Sequence, residues 1–334
     1  MQFALDDQIA SQPAAIRNLL ERIQVPTLDR SRPVIFTGIG TSLHACTIAA
    51  QWTTELSGGA LRPSVVNAYD LALSAPIRAG DQVVVVSHRG NKRFPNEVLA
   101  KAQKAGATTI AISGEETSQI AADVVLRTCP GERSGTHTVS YVTALAVLGR
   151  LVATLVGPDG AILTSALESV PAAITDTLAF PAPIQQAERL SGHEPILVVG
   201  AGLDAMTASE AALKIKEGTY QWAEGMSIEQ ALHGPPAAFR AGMGAITITP
   251  AEDDGGRTQT LRVVLADLGV EALTCGVHDE DLRFASVPRL VRPLVAIVPL
   301  QRVVAEMARI RQTNPDAIHR DVEPWNTAMG RIVL

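Results

Sequence analysis

Short, unbroken apolar runs alternate along this chain with longer stretches in which apolar residues recur at helical spacing. Residues 34–38 read Val-Ile-Phe-Thr-Gly and residues 196–200 read Ile-Leu-Val-Val-Gly, an offset of 162. The same step carries Val83-Val84-Val85-Val86-Ser87 onto Ala245-Ile246-Thr247-Ile248-Thr249. A third pair, 109–113 and 272–276, follows within a residue or two of that offset. Apolar runs of this length between amphipathic helices predict strands buried on both faces, and hence parallel sheets covered on each side. The expected class is α/β, with two doubly wound parallel-sheet domains in tandem.

Residues 1–157 are expected to hold a leading helix, about 6–22, and the first sheet. Residues 158–190 form the connection, ending in Pro181-Ala182-Pro183, and residues 191–334 hold the second sheet, a helix from about Val291 to Thr313 and an irregular tail. The most apolar segment, Val139 to Val156, carries Gly149 and Arg150 in its middle and stops at Gly157-Pro158. That predicts a buried helix rather than a membrane span.

Ala208 to Glu224 is predicted as one further helix. Glu210, Lys214 and Glu217 are spaced four and three residues apart, so they share a stripe. Ala208, Ala211, Ala212, Ile215, Thr219 and Trp222 form the packing face. Sixteen residues after Glu217 comes His233, in Leu232-His233-Gly234-Pro235-Pro236. A carboxylate beside a cation, followed by a histidine on a Gly-Pro loop, is equipment for moving protons between neighbouring atoms of a small molecule. Taken alone, the stripe fits a solvated face laced with Glu-Lys pairs better, and it is the rest of the chain that turns the reading toward chemistry.

In open parallel sheets ligands sit beyond the carboxyl ends of the strands, which directs attention to the loops there. The first half offers Gly38-Ile39-Gly40-Thr41-Ser42 and Ser87-His88-Arg89-Gly90-Asn91-Lys92-Arg93, rich in hydroxyls, glycine and positive charge. Backbone amides and the Thr41 and Ser42 hydroxyls at a helix start suit a phosphate, and Arg89, Lys92 and Arg93 add charge. The corresponding second-half loops are Gly200-Ala201-Gly202 and Thr249-Pro250-Ala251-Glu252-Asp253-Asp254, the latter acidic, so only the first half is expected to hold an anion. Leu43 replaces the third glycine of a dinucleotide fingerprint, and there is no Walker lysine, so a nucleotide cofactor is not expected. Ser134-Gly135-Thr136-His137-Thr138 adds a polar loop in which His137 and Thr138 are further ligand candidates.

With 334 residues, 46% of them hydrophobic, the chain can fill two cores. A net charge of −6 and 4% aromatic residues argue against a nucleic-acid partner. Cys46, Cys129 and Cys275 show no metal spacing and read as reduced thiols. No metal and no cofactor is expected. The acidic N-terminus is unlike a secretory signal, and a cytoplasmic location is expected, with no membrane partner.

The residues that now stand together resemble the tandem sugar isomerase (SIS) domain family, in particular the isomerase half of glucosamine-6-phosphate synthase and related amino-sugar and fructosamine deglycase enzymes. The resemblance runs over nearly the whole chain. It is carried by 9–16, the Gly40-Thr41-Ser42 loop, Glu210-Ala211-Ala212-Leu213-Lys214-Ile215-Lys216-Glu217, His233-Gly234-Pro235, Val298-Pro299-Leu300-Gln301 and Asn314-Pro315-Asp316. It implies flavodoxin-like SIS domains and a phosphosugar isomerase, deaminating isomerase or deglycase moving a proton between carbons 1 and 2 of an open-chain sugar phosphate. Glu217 would be the base, Lys214 would help hold the substrate, and His233 would come from the partner subunit of a homodimer. Thr41, Ser42 and Ser87 would bind the phosphate, with Gly40, His88, Arg89, Gly90 and Lys92 around it. The alternative is a sugar-phosphate sensor without chemistry.

Three departures qualify the resemblance. The synthase has an N-terminal glutaminase domain and this sequence starts Met1-Gln2, so glutamine-dependent amination is not expected. Ser87-His88-Arg89-Gly90-Asn91-Lys92 stands where the family has small hydroxyl residues, and Met329 stands where the synthase has a C-terminal lysine.

Overall fold

The computed structural model describes residues 2–117 and 120–332. By contact the chain forms two compact units, each with one five-stranded parallel sheet. The first-sheet unit comprises Ala14–Glu132, Val139–Ser169 and Gly330–Leu334. The second-sheet unit comprises Met1–Pro13, Arg133–Thr138 and Val170–Met329. The division falls inside helices α1 (Ala4–Arg22) and α6 (Ala161–Ala179), and the polar loop Arg133–Thr138 belongs with the second sheet.

In the first-sheet unit β1 (Val34–Gly38), β2 (Ser64–Asn67), β3 (Gln82–Val86), β4 (Thr108–Ser113) and β5 (Val124–Arg127) lie in the order β2-β1-β3-β4-β5. Helices α2 (Thr41–Leu56), α3 (Ala68–Leu73) and α4 (Arg93–Ala105) connect them. All of β1 and β3 is buried, because a strand covered on both faces has no side left for polar residues. Helix α5 (Val139–Val156) packs on α2, and of its residues only Arg150 and Thr154 fall outside the buried class. It is a core helix, as its interrupted apolar run predicts.

The second-sheet unit repeats this plan. β6 (Ile196–Gly200), β7 (Ala223–Ser227), β8 (Gly244–Ile248), β9 (Glu271–Gly276) and β10 (Leu282–Arg283) lie in the order β10-β9-β8-β6-β7. Read from β7, that is the first sheet's order again. α7 (Ile184–Ser191), α8 (Asp204–Thr219), α9 (Ile228–Leu232), α10 (Arg257–Asp267) and α11 (Arg292–Arg311) surround it, and α12 (Trp325–Gly330) lies in the tail. Helix α11 packs along α8 so closely that a Cβ on Gly218 would lie 2.5 Å from Val304 Cγ1.

Several expectations need correction. The predicted helix 208–224 starts earlier and ends at Thr219, where Tyr220 turns the chain with φ +61°. Trp222 therefore leaves the packing face and is 63% exposed, with Lys216 over its ring. The helix expected over 291–313 ends at Arg311. Val139–Val156 and Val291–Ala308, the two stretches apolar enough to suit a subunit interface, are instead largely buried within the chain.

Candidate functional site

Helix α8 carries the proton-transfer candidates. Glu210 and Lys214 are 0% and 1% exposed, which removes the solvated-face explanation for the stripe. Lys214 Nζ lies 2.6 Å from Glu217 Oε2 and 3.4 Å from Glu210 Oε1, bracketed by two carboxylates. Glu217 is at the edge of burial, its side chain 26% exposed. Burial raises its pKa above the ordinary carboxylate value, Lys214 opposes the rise, and the Glu210 charge adds to it. A carboxylate raised in this way and held beside a cation accepts and returns a proton without large cost in either state.

The end of α8 is fixed. Thr313 Oγ1 donates to Gly218 O at 2.7 Å and Arg311 Nε donates to Thr219 O at 3.0 Å, which satisfies carbonyls that a helix end leaves open. The Tyr220 hydroxyl donates to Asn314 O at 2.8 Å, and the Tyr220, His319 and Trp325 rings stack in succession. The Thr136 side chain reaches the same end: its hydroxyl donates to Pro315 O at 2.8 Å and lies 3.9 Å from where a Cβ on Gly218 would be. Thr138 is buried and His137 half-buried on this segment, so that loop clusters with the unit that holds Glu217. Thr136 and Tyr220 carried no sequence signal beyond a polar loop and an aromatic residue after a helix.

His233 caps the C-terminus of α9, followed by Gly234 at φ +99°. Its ring is 75% exposed, and Nε2 is 2.9 Å from Glu229 Oε2, a carboxylate that also receives Arg257. Within one chain His233 is partnered by Glu229, whereas Glu217 is partnered by Lys214.

The anion loops belong to the first-sheet unit. β1 and β3 pair in register, with Thr37 opposite Val85, so the loops after them flank the point where the strand order reverses. Gly38 is needed there, because a Cβ would lie 2.7 Å from that of Ser42. Gly40 has φ +56°, and the amides of Leu43 and His44 donate to its carbonyl as α2 begins, leaving half-buried Thr41 and Ser42 at the helix start. In the second loop the Ser87 carbonyl receives the Gly90 amide at 3.0 Å and Ser113 Oγ at 2.9 Å, and Gly90 has φ +61°.

The cations of that loop divide. Arg93 is paired with Glu97 at 2.7 Å, and Lys92 is the residue just before the first turn of α4, with no side-chain capping bond. Arg89 is exposed and has no hydrogen bond or ion pair among the described residues. His88 is mostly buried; its ring lies where a Cβ on Gly114 would be 2.8 Å from Cε1, and burial, with Arg89 beside it, lowers its pKa to about 4. It is neutral near pH 7 and acts there as a wedge rather than a cation. The three cysteines are buried, and burial raises each thiol pKa, that of Cys129 to about 11.

In the second-sheet unit the matching place is already full. Asp204 stands 162 residues after Ser42, and its carboxylate binds Arg292 at 2.8 Å with both groups buried. Thr249, 162 residues after Ser87, gives its carbonyl to Arg292 and its hydroxyl to Arg262.

Residues 27–154 match the SIS domain family. The chain carries a SIS domain. Its two five-stranded sheets have the architecture of SIS domains in tandem. The chain is 26% identical to the glutamine-fructose-6-phosphate aminotransferase (isomerizing) of Thermococcus kodakarensis, over 94% of this chain and 54% of that protein. The chain spans about half the length of the curated relatives it matches. In fold it matches the C-terminal domain of glucosamine-fructose-6-phosphate aminotransferase from Francisella tularensis, with a TM-score of 0.85 and 21% identity over 95% of this chain and 98% of that one. A glucosamine-6-phosphate deaminase from Thermotoga maritima shares the fold with a TM-score of 0.76 and 18% identity, over 94% of this chain and 97% of that one.

Proposed function

We propose that this SIS protein is a phosphosugar isomerase-type enzyme that moves a proton between carbons 1 and 2 of an open-chain sugar or amino-sugar phosphate. One observation carries this: Glu217, a desolvated carboxylate with raised pKa, is held 2.6 Å from buried Lys214 on a helix whose end is pinned. Glu217 takes the proton from one carbon, leaving an enediol or enolamine, and returns it to the neighbouring carbon, so the base is regenerated. Lys214 holds Glu217 in place and stabilises its charged form. His233, contributed by the partner subunit of a homodimer, serves the sugar oxygens as acid. The anionic end of the substrate is assigned to Gly40, Thr41, Ser42, Ser87, Gly90, Arg89 and Lys92, whose hydroxyls and cations are the groups a phosphate needs. The relatives named for a fructose 6-phosphate aminotransferase and a glucosamine 6-phosphate deaminase lend support, since both names describe chemistry at those two carbons of a hexose phosphate.

A turnover screen of hexose, hexosamine and fructosamine 6-phosphates, with ammonia release and ketose formation followed separately, tests the proposal and assigns the reaction. Conversion of none of them, together with saturable binding, would instead favour a sugar-phosphate sensor. The solvent-facing His233, partnered by Glu229 instead of Glu217 within one chain, is the observation on that side.

A further inference from the structure

Helix α9 is only five residues long, and its spacing gives it two sides. Ile228 and Ala231, three residues apart, are buried in an apolar cluster with Leu261 and Leu265 of α10. Glu229 and His233, four apart, lie on the outward side, with His233 ending the helix. The packing that buries Leu261 brings Arg257, one turn earlier on α10, beside Glu229. Arg257 Nε donates to Oε1 at 2.5 Å and Nη2 donates to Oε2 at 3.1 Å. Two parallel bonds from a guanidinium fix the plane of a carboxylate as well as its place.

Arg257 is itself placed by the acidic loop for which the sequence offered no use. Asp254 Oδ2 accepts the Thr258 amide at 2.8 Å and Thr258 Oγ1 at 2.6 Å at the start of α10, and Asp253 accepts the Gly255 amide at 2.8 Å. Held in this way, Glu229 meets His233 twice. Its Oε2 lies 2.9 Å from Nε2 of the ring, and its carbonyl accepts the His233 amide at 3.1 Å. The Arg257 guanidinium holds the Glu229 carboxyl below its ordinary pKa, and the bond to His233 adds to this. An ionised carboxylate can only accept, so the nitrogen facing it carries the hydrogen. His233 Nδ1 has no partner among the described residues.

We infer that Glu229 is the positioning residue of His233: gripped by Arg257, it holds the ring in its Nε2–H form and leaves Nδ1 as the nitrogen that serves the sugar oxygens. This rests on the proposed role of His233 as an acid in a partner's site. An acid lent across an interface must stay exposed on its own unit, yet a freely turning side chain would have to be ordered at the moment of binding. Glu229 orders it beforehand. In the step, the Nδ1–H bond of the imidazolium breaks, its electron pair stays on Nδ1, and the proton passes to the sugar oxygen. The neutral ring that remains keeps its Nε2–H on Glu229 and takes the proton back in the reverse step. Glu229 touches neither the substrate nor the transferred proton.

The test uses the full chain labelled with 15N-histidine. With the ring neutral, the His233 nitrogens, assigned by their loss in His233→Ala, show Nε2 protonated and Nδ1 bare, and in Glu229→Gln both move toward the averaged shifts of a ring exchanging between its two forms. Glu229→Gln lowers kcat, within the about 10²–10⁴-fold that a positioned acid contributes, with KM and thermal midpoint close to wild type. Mixed with Glu217→Gln chains, Glu229→Gln chains regain activity; mixed with His233→Ala chains they do not, because both lesions then fall on the histidine side of each site. A wild-type ring protonated on Nδ1, full kcat in Glu229→Gln beside an inactive His233→Ala, or recovery of Glu229→Gln by His233→Ala chains overturns the inference alone. A His233→Ala chain as active as wild type overturns the proposed use of His233, and the inference with it.

Discussion

Replacing Glu217 with glutamine separates catalysis from stability, because the same burial that tunes the carboxylate also strains the fold. In wild type the cluster of buried Glu210 and Lys214 with half-buried Glu217 holds two negative charges and one positive, so it carries a net −1 when all are ionised. Glutamine keeps the shape and an oxygen for the Lys214 hydrogen bond and leaves one carboxylate against one ammonium. Turnover should fall by about 10²–10⁴-fold, the usual contribution of a positioned base. That is roughly 2.7–5.4 kcal/mol of barrier at 1.36 kcal/mol per decade.

Stability should move the other way. The folded pKa of Glu217 lies above its unfolded value of 4.5. Between 4.5 and the folded value the native state binds the proton and the unfolded state does not, so wild-type stability falls with rising pH across that window. Below pH 4.5 the contribution is fully present, and above the folded pKa it is fully lost. Each unit of upward shift corresponds to about 1.4 kcal/mol. Denaturant unfolding from pH 4 to 8 should show Glu217→Gln gaining on wild type as pH rises and then holding a constant lead. A pH-independent difference, or a variant that turns over as fast as wild type, would refute the assignment of Glu217 as a desolvated base.

Lys214→Met leaves Glu210 and Glu217 facing each other without a cation, and should cost about 3–5 kcal/mol in denaturant unfolding, while the acid limb of the activity profile moves to higher pH. Arg89→Ser should raise KM and weaken the dependence of KM on salt with kcat nearly unchanged, since an exposed, unpaired cation contributes to binding the anion and not to chemistry. His233→Ala should leave stability within about 0.5 kcal/mol, because its ion pair with Glu229 is exposed. Mixing inactive His233→Ala and Glu217→Gln chains should restore part of the activity if the histidine is donated between subunits; no recovery in verified mixed dimers would place it elsewhere.

The central strands were legible because they are buried on both faces. β1, β3 and β4 and their repeats β6, β8 and β9 are the apolar runs matched by the 162-residue step, within one residue in the structure. The sheet edges gave no comparable signal: β2 is Ser-Val-Val-Asn and half-buried, β7 is Ala-Glu-Gly-Met-Ser, and β10 has two residues. Helical periodicity found the Glu210, Lys214 and Glu217 stripe but not its burial. Spacing is the same whether a face meets solvent or another element, and only the tertiary packing around α8 decides between them. Trp222 was misplaced because nothing in the composition of 208–224 marks Thr219 as a helix end; the stop comes from Tyr220 in a left-handed conformation held by Asn314 and His319, residues about ninety-five positions away.

The asymmetry between the units follows from two positions. Ser42 and Ser87 in the first become Asp204 and Thr249 in the second, and the acidic replacement draws Arg292 from α11 onto the turn. Sequence alone showed the acidity of the second loops, which excludes an external anion by repulsion. In the structure the Asp204 carboxylate and the Arg292 guanidinium lie on that turn and pair with each other. The same pair fixes the first turn of α8, while Thr313 and Arg311 fix its last, so a helix only 16 residues long is held at both ends. Glu217 sits one residue before the Gly218 carbonyl that Thr313 binds. A base positioned to within a few tenths of an ångström needs such support, and the Asp204–Arg292 pair at one end of α8 with Thr313 and Arg311 at the other supplies it to the proposed base.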